Sequence, residues 1–185
     1  MEADWEFEVG GDAPVIDALW PGFIDLRTVP RRARSLSEVA ELPALAEALE
    51  RLNARSSPIW TSKCDFWPDL DLEALDSDEM DAAIGEFVHA MGCYIDLLPK
   101  SDQQWLPARA AAECKYICLQ LHAAPLRCCR IDLVIRRAQI APETEDLGIT
   151  AYLTACGTTA EAAKQVLEAA LGAFADAFQA NSTLQ

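Results

Sequence analysis

The chain has 185 residues, 51% of them hydrophobic, and sets 30 acidic side chains against 15 basic ones for a formal net charge of −15. That content suits one domain with a sizeable core. The charge excludes nucleic acid as a partner, because Arg31, Arg32 and Arg34 form too short a basic run to reverse the field. A basic protein or a cationic ligand is electrostatically permitted.

In chain order, residues 5–9 alternate and end in Gly10-Gly11, the pattern of a short strand or an edge. Trp20-Pro21-Gly22 signals a turn, and Phe23-Ile24-Asp25-Leu26 then reads as a strand. Leu42, Leu45, Leu49 and Leu52 recur at helical spacing, with Pro43 in the first turn, where it is tolerated. Pro58 and Pro68 bracket the strand IWTSKCDFW. Asp76 and Glu79 read as an N-terminal capping box for a second helix, with Met80, Ile84, Phe87, Val88 and Met91 on one stripe and Gly92 at its end. CYIDLLPK is the next strand, followed by a turn over 101–104. A third helix then buries Ala110, Cys114, Ile117, Cys118 and Leu121. Residues 127–156 read as two strands joined through IAPETEDL. A last helix, signalled by Gly157, Thr158 and Glu161, packs through Ala163, Val166, Leu167, Ala170, Phe174 and Phe178.

This order predicts an α+β two-layer sandwich: a mixed parallel and antiparallel sheet with helices on one face, and a ferredoxin-like βαββα unit in the C-terminal half. Residues 1–57 are an N-terminal strand and helix extension, and 58–180 the sheet-and-helix core of a single domain. Period two assigns the faces. Cys129, Ile131, Leu133 and Ile135 point inward with Ile95, whereas Arg130, Asp132, Val134 and Arg136 point outward with Tyr94, Asp96 and Tyr152. On IWTSKCDFW the same rule sets Trp60, Cys64 and Phe66 against Thr61, Lys63, Asp65 and Trp67. A charged face of this kind is expected to stay uncovered.

That outward face supplies the candidate ligand-binding residues: Lys63, Asp65, Trp67, Tyr94, Asp96, Arg130, Asp132, Arg136 and Tyr152. Aromatic rings beside charges suit a flat or cationic partner. Asp65, Asp96 and Asp132 raise a second reading, since clustered carboxylates hold Mg²⁺ or Mn²⁺. Against it stands a ladder of cross-strand charge pairs, which sheets use routinely. Cys114, Cys118 and His122 share one helix face, but structural zinc sites use shorter paired spacings, so these residues read as core packing. The acidic run 69–81 lacks the central glycine of a calcium loop. No signature marks a catalytic nucleophile, and no catalytic residue, metal ligand or cofactor is assigned.

The expected function is therefore a non-catalytic binding or regulatory domain that holds a small-molecule ligand or a protein partner on the polar sheet face. The alternative is a small divalent-metal-dependent hydrolase or phosphoryl-transfer enzyme built on the three aspartates. Val134, Leu98, Tyr94 and Tyr152 make the face apolar enough for a homodimer. Seven cysteines without scaffold spacing fit reduced thiols, and the acidic N-terminus lacks the regions of a secretory signal. With no run of ~18 apolar residues, a cytoplasmic protein without membrane contact is expected.

Overall fold

Alternating β-branched, aromatic and sulfur-bearing residues produce long strands in the second half of the chain. The computed structural model describes residues 1–11, 13–18, 20–83, 87–100, 105–142 and 144–182, excepting the side chains of 180–182. The strands are β1 (Glu2–Glu8), β2 (Ile16–Asp17), β3 (Ile59–Trp67), β4 (His89–Pro99), β5 (Cys129–Ala141) and β6 (Thr144–Gly157). The α-helices are α1 (Pro43–Leu52), α2 (Pro107–His122) and α3 (Ala160–Ser182), and short 3₁₀ turns cover Pro30–Ser35 and Leu72–Ala74. No described helix is long and apolar enough to cross a membrane.

The sheet runs β1-β5-β6-β4-β3, with β2 added beside β5. β1 and β2 lie parallel to β5, and every other neighbouring pair is antiparallel. It is therefore a mixed sheet, and the three α-helices pack on one face of it. Ile95, Ile131, Leu133, Ile135, Leu153, Leu167 and Phe174 are fully buried in that layer. Phe174 and Phe178 meet edge to face with centroids 5.2 Å apart, a geometry that adds to simple area burial. Thr159 caps α3 by accepting from the Ala162 amide at 3.1 Å. At the end of α1, buried Asn53 donates to the Leu49 carbonyl and to Thr61 Oγ1, and accepts from the Thr61 amide, which fixes that helix against β3.

Several expectations are corrected. Residues 23–26 are not a strand: Asp25 accepts from both the amide and the guanidinium of Arg27, and such local bonding competes with a sheet ladder. Among the described residues no helix forms between Asp76 and β4. The Asp76 carboxylate accepts from the Asp78 amide, residues 77–81 turn, and Asp81 has φ 49°, which ends the turn in the left-handed region. Met91 lies in β4, which already starts at His89; Phe87 and Val88 precede it, and Ile84 lies outside the described residues, as does the expected turn at 101–104. Without that helix β3 and β4 pair antiparallel. The hairpin is also tighter than expected, because IAPETEDL extends both strands so that Gln139 faces Glu145 and Ala141 faces Thr144. The C-terminal half runs β4-α2-β5-β6-α3 with β6 inserted between β4 and β5, and the strand bordering β4 precedes it in the chain.

The face opposite the helices is not bare. At one end Ile16, Ala18, Trp60, Leu98 and Ala138 form a second small core, closed by Phe23 and Ile140. At the other end Met80, Ala82, Ala90 and Cys156 form a third, with Leu70, Leu72, Leu75 and Phe87 against it. Trp60 belongs to this face, contrary to simple alternation, because the register slips between Thr61 and Cys64. A bulge there reverses the parity of everything before it.

Candidate functional site

Between the two small cores the middle of the sheet face stays open as a trough. Its rows follow strand register: Asp65, Tyr94, Tyr152, Asp132 and Asp4 lie side by side across β3, β4, β6, β5 and β1. The next row carries Asp96, Thr150, Val134 and Glu6. Over β1 and β5 the trough deepens into a hollow of about 410 Å³, lined by Asp4, Trp5, Glu6, Asp132, Val134 and Tyr152 among others. That volume is within the range of small-ligand sites, roughly 300–1,000 Å³.

Aromatic rings line the other half. Trp67 stacks on Tyr94 at 5.6 Å, and Tyr94 lies 6.1 Å from Tyr152. Burial, assisted by the charges of Asp96 and Asp65, pushes the Tyr94 phenol up to about 12. It therefore stays protonated at neutral pH and can donate a hydrogen bond. Arg136 donates to the Tyr152 hydroxyl at 2.8 Å and to Glu8 at 2.7 Å, with its guanidinium 5.5 Å from the Tyr152 ring centroid. Arg130 grips Asp132 through Nε at 2.8 and 2.9 Å and Glu79 through Nη1 at 2.6 Å. Both arginines are thus committed to carboxylates of this chain.

The three aspartates do not share a site. Asp65 and Asp132 sit three strand spacings apart, roughly 14 Å, far beyond two bonds of ~2.0–2.6 Å to one cation. Asp65 accepts from the Phe66 amide, Asp132 belongs to Arg130, and Asp96 accepts from Thr150. Among the described residues no three carboxylates, thiols or imidazoles gather as metal ligands. Asp96 is also not on the surface as expected, since only 5% of it is exposed. Burial pushes its carboxyl up, opposed by the Thr150 hydrogen bond and by the charges of Lys63 and Arg136. Burial likewise raises Asp132, against the pull of Arg130.

Lys63 stands apart from this group at the bulge, its ammonium 5.7 Å from the Trp20 ring. Cys114 and Cys118 pack in the main core, and burial pushes the Cys118 thiol up to about 11. The residues that sequence reasoning missed are those of β1. Asp4, Glu6 and Glu8 join the face only because β1 pairs with β5, a non-local event. The signal was present in the alternation of Glu2, Asp4, Glu6 and Glu8 with Ala3, Trp5 and Phe7. Comparisons with protein-family models, with curated proteins and with solved structures gave no match.

Proposed function

We propose that this protein is a non-catalytic binding domain that holds a ligand or partner in the trough on its polar sheet face. The observation that carries this reading is selective covering. Two small cores close the ends of the face, yet the middle keeps three aromatic rings and a hollow of about 410 Å³ accessible. Convergent polar groups in a partly apolar concavity are the usual make-up of a binding site. Ion pairs along the strands hold Arg130, Arg136 and Tyr152 in place, so the site is preorganised and loses little rotamer freedom on binding. The dispersed aspartates remove the main support for a metal-dependent hydrolase. Seven free thiols, five of them buried, suit a reducing compartment, in keeping with a cytoplasmic setting.

Amide chemical-shift mapping against a library of small aromatic and cationic fragments tests the reading. Shifts concentrated at Tyr94, Asp96, Asp132, Val134 and Tyr152 are expected. Shifts confined to the helical face, or none at any fragment concentration, would sink it.

A further inference from the structure

We infer that the occupant of this site is an extended segment of a partner protein in which basic and apolar residues alternate, added as a further strand along the outer edge of β1. The inference rests on the binding reading above and names the partner for it. β1 pairs only with β5 among the described strands, so its other edge has no strand partner there, the arrangement used by proteins that recognise peptides by strand addition. The two faces of this edge differ in chemistry. On the trough side Glu2, Asp4, Glu6 and Glu8 succeed one another every second residue, about 6.7 Å apart. On the helix side Phe7 is 43% exposed and packs edge to face on half-buried Trp5 at 5.9 Å. An added strand would thus meet carboxylates with one set of side chains and an aromatic pair with the other.

Charge decides what that strand must carry. Arg130 and Arg136 are already bound by Asp132, Glu79 and Glu8. Asp4 accepts only from the adjoining Trp5 amide, and Glu6 accepts no hydrogen bond among the described residues. Both carboxylates border the hollow, where a guanidinium or ammonium would find two opposite charges beside β1. A second hollow of about 460 Å³ adjoins it at Asp4 and Arg130 and reaches Glu2, Asp78 and Glu79, so carboxylates follow β1 from Glu2 to Glu6. A second copy of this chain is the poorer occupant. Pairing β1 with β1 would set carboxylates against carboxylates, and like charges directly opposite are destabilising.

The probes are a short peptide of alternating arginine and valine, the same composition with arginines and valines in separate blocks, an alternating glutamate and valine peptide, and spermine. Each is titrated into the full chain at physiological ionic strength. The variants are Asp4→Asn with Glu6→Gln, and, as a matched charge control, Asp69→Asn with Glu73→Gln, both conservative changes at exposed positions, checked for folding by circular dichroism. Binding of the alternating basic peptide is expected, with amide shifts along 2–8, a loss of about tenfold or more in the first variant and about twofold or less in the control. Equal loss in both variants would reduce the effect to net charge and overturn the inference. So would equal binding of the block peptide or of spermine, binding of the acidic peptide, or no binding at all. Fragments that still shift Tyr94 and Tyr152 in those cases would leave the trough standing as a site with a different occupant. Concentration-dependent dimerisation lost in the first variant would assign the edge to a second copy and overturn the inference as well.

Discussion

The Thr150 hydroxyl donates to Oδ1 of Asp96 at 2.7 Å across the β4–β6 pair, and both residues are buried. The carboxylate is therefore held on the floor of the trough with most of its hydration removed. Because burial raises the folded-state pKa of Asp96, the folded protein binds this proton more tightly than the unfolded chain, whose Asp titrates near ~3.9. Stability from this group is greatest at low pH and falls as pH rises through the raised folded-state value. Asparagine stays neutral and still accepts from Thr150. Asp96→Asn is thus expected to melt higher than the parent at pH 7, with the gap closing as pH falls toward the carboxylate range. Thermal melts at a series of pH values check this, and a variant less stable at every pH would show that the charge itself is needed.

Arg130 and Asp132 lie two residues apart on β5, and the Arg130 Nε donates to both oxygens of the Asp132 carboxylate, at 2.8 and 2.9 Å. Arg130→Met leaves Asp132 beside Glu79 and Asp4 without its counter-ion, so its carboxyl should titrate still higher than in the parent. The stability cost is expected at about 1–2 kcal/mol, below the ~3–5 kcal/mol of a fully buried pair, because the Asp132 side chain is 35% exposed. Carboxyl carbon chemical shifts followed through an acid titration give the first quantity and denaturant melts the second. An unmoved Asp132 titration would mean that Arg130 does not govern it.

Gly148 sets how closely the β2 segment lies on the sheet. A Cβ there would meet Ile16 Cδ1 at 2.6 Å and Leu98 Cδ2 at 3.0 Å, inside the small core at that end. Gly148→Ala should cost roughly 1–3 kcal/mol, as overpacking does, and should raise amide exchange at residues 16–18 more than in α3. Uniform exchange changes across the protein would argue that the cover does not yield separately.

Leu133 is fully buried against the helices, so Leu133→Ala should lose about 2–5 kcal/mol in chemical denaturation. A loss under ~1 kcal/mol would be inconsistent with its place in the main core.

Much of this was legible in the residues. Period two placed Ile131, Leu133 and Ile135 inward and Arg130, Asp132 and Arg136 outward, as observed, because a strand with one buried face leaves its register no freedom. The leucine stripe of α1 and the alanine-rich stripe of α3 read equally well. What escaped had physical reasons. An aspartate followed by a glutamate three residues on can cap a helix or close a turn, and after Asp76 it closes a turn. A bulge on β3 moved Trp60 to the other face without a mark in the hydrophobic pattern. The covering of the sheet ends depends on contacts between residues far apart in the chain, such as Ile16 with Ala138 and Leu70 with Ala90. Period two put the outward rows of β3 to β6 together, apart from Lys63 at the bulge and the buried Asp96, while the acidic stripe of β1 beside them was not anticipated.

Crystallographic fragment soaking tests the trough most directly, since it shows where small molecules settle without presuming their identity. Fragments are expected to recur between the two small cores, stacked on Tyr94 or Tyr152 and reaching Asp4 or Glu6. Recurrent binding elsewhere, with the trough empty across the same soaks, would contradict its assignment as the binding site.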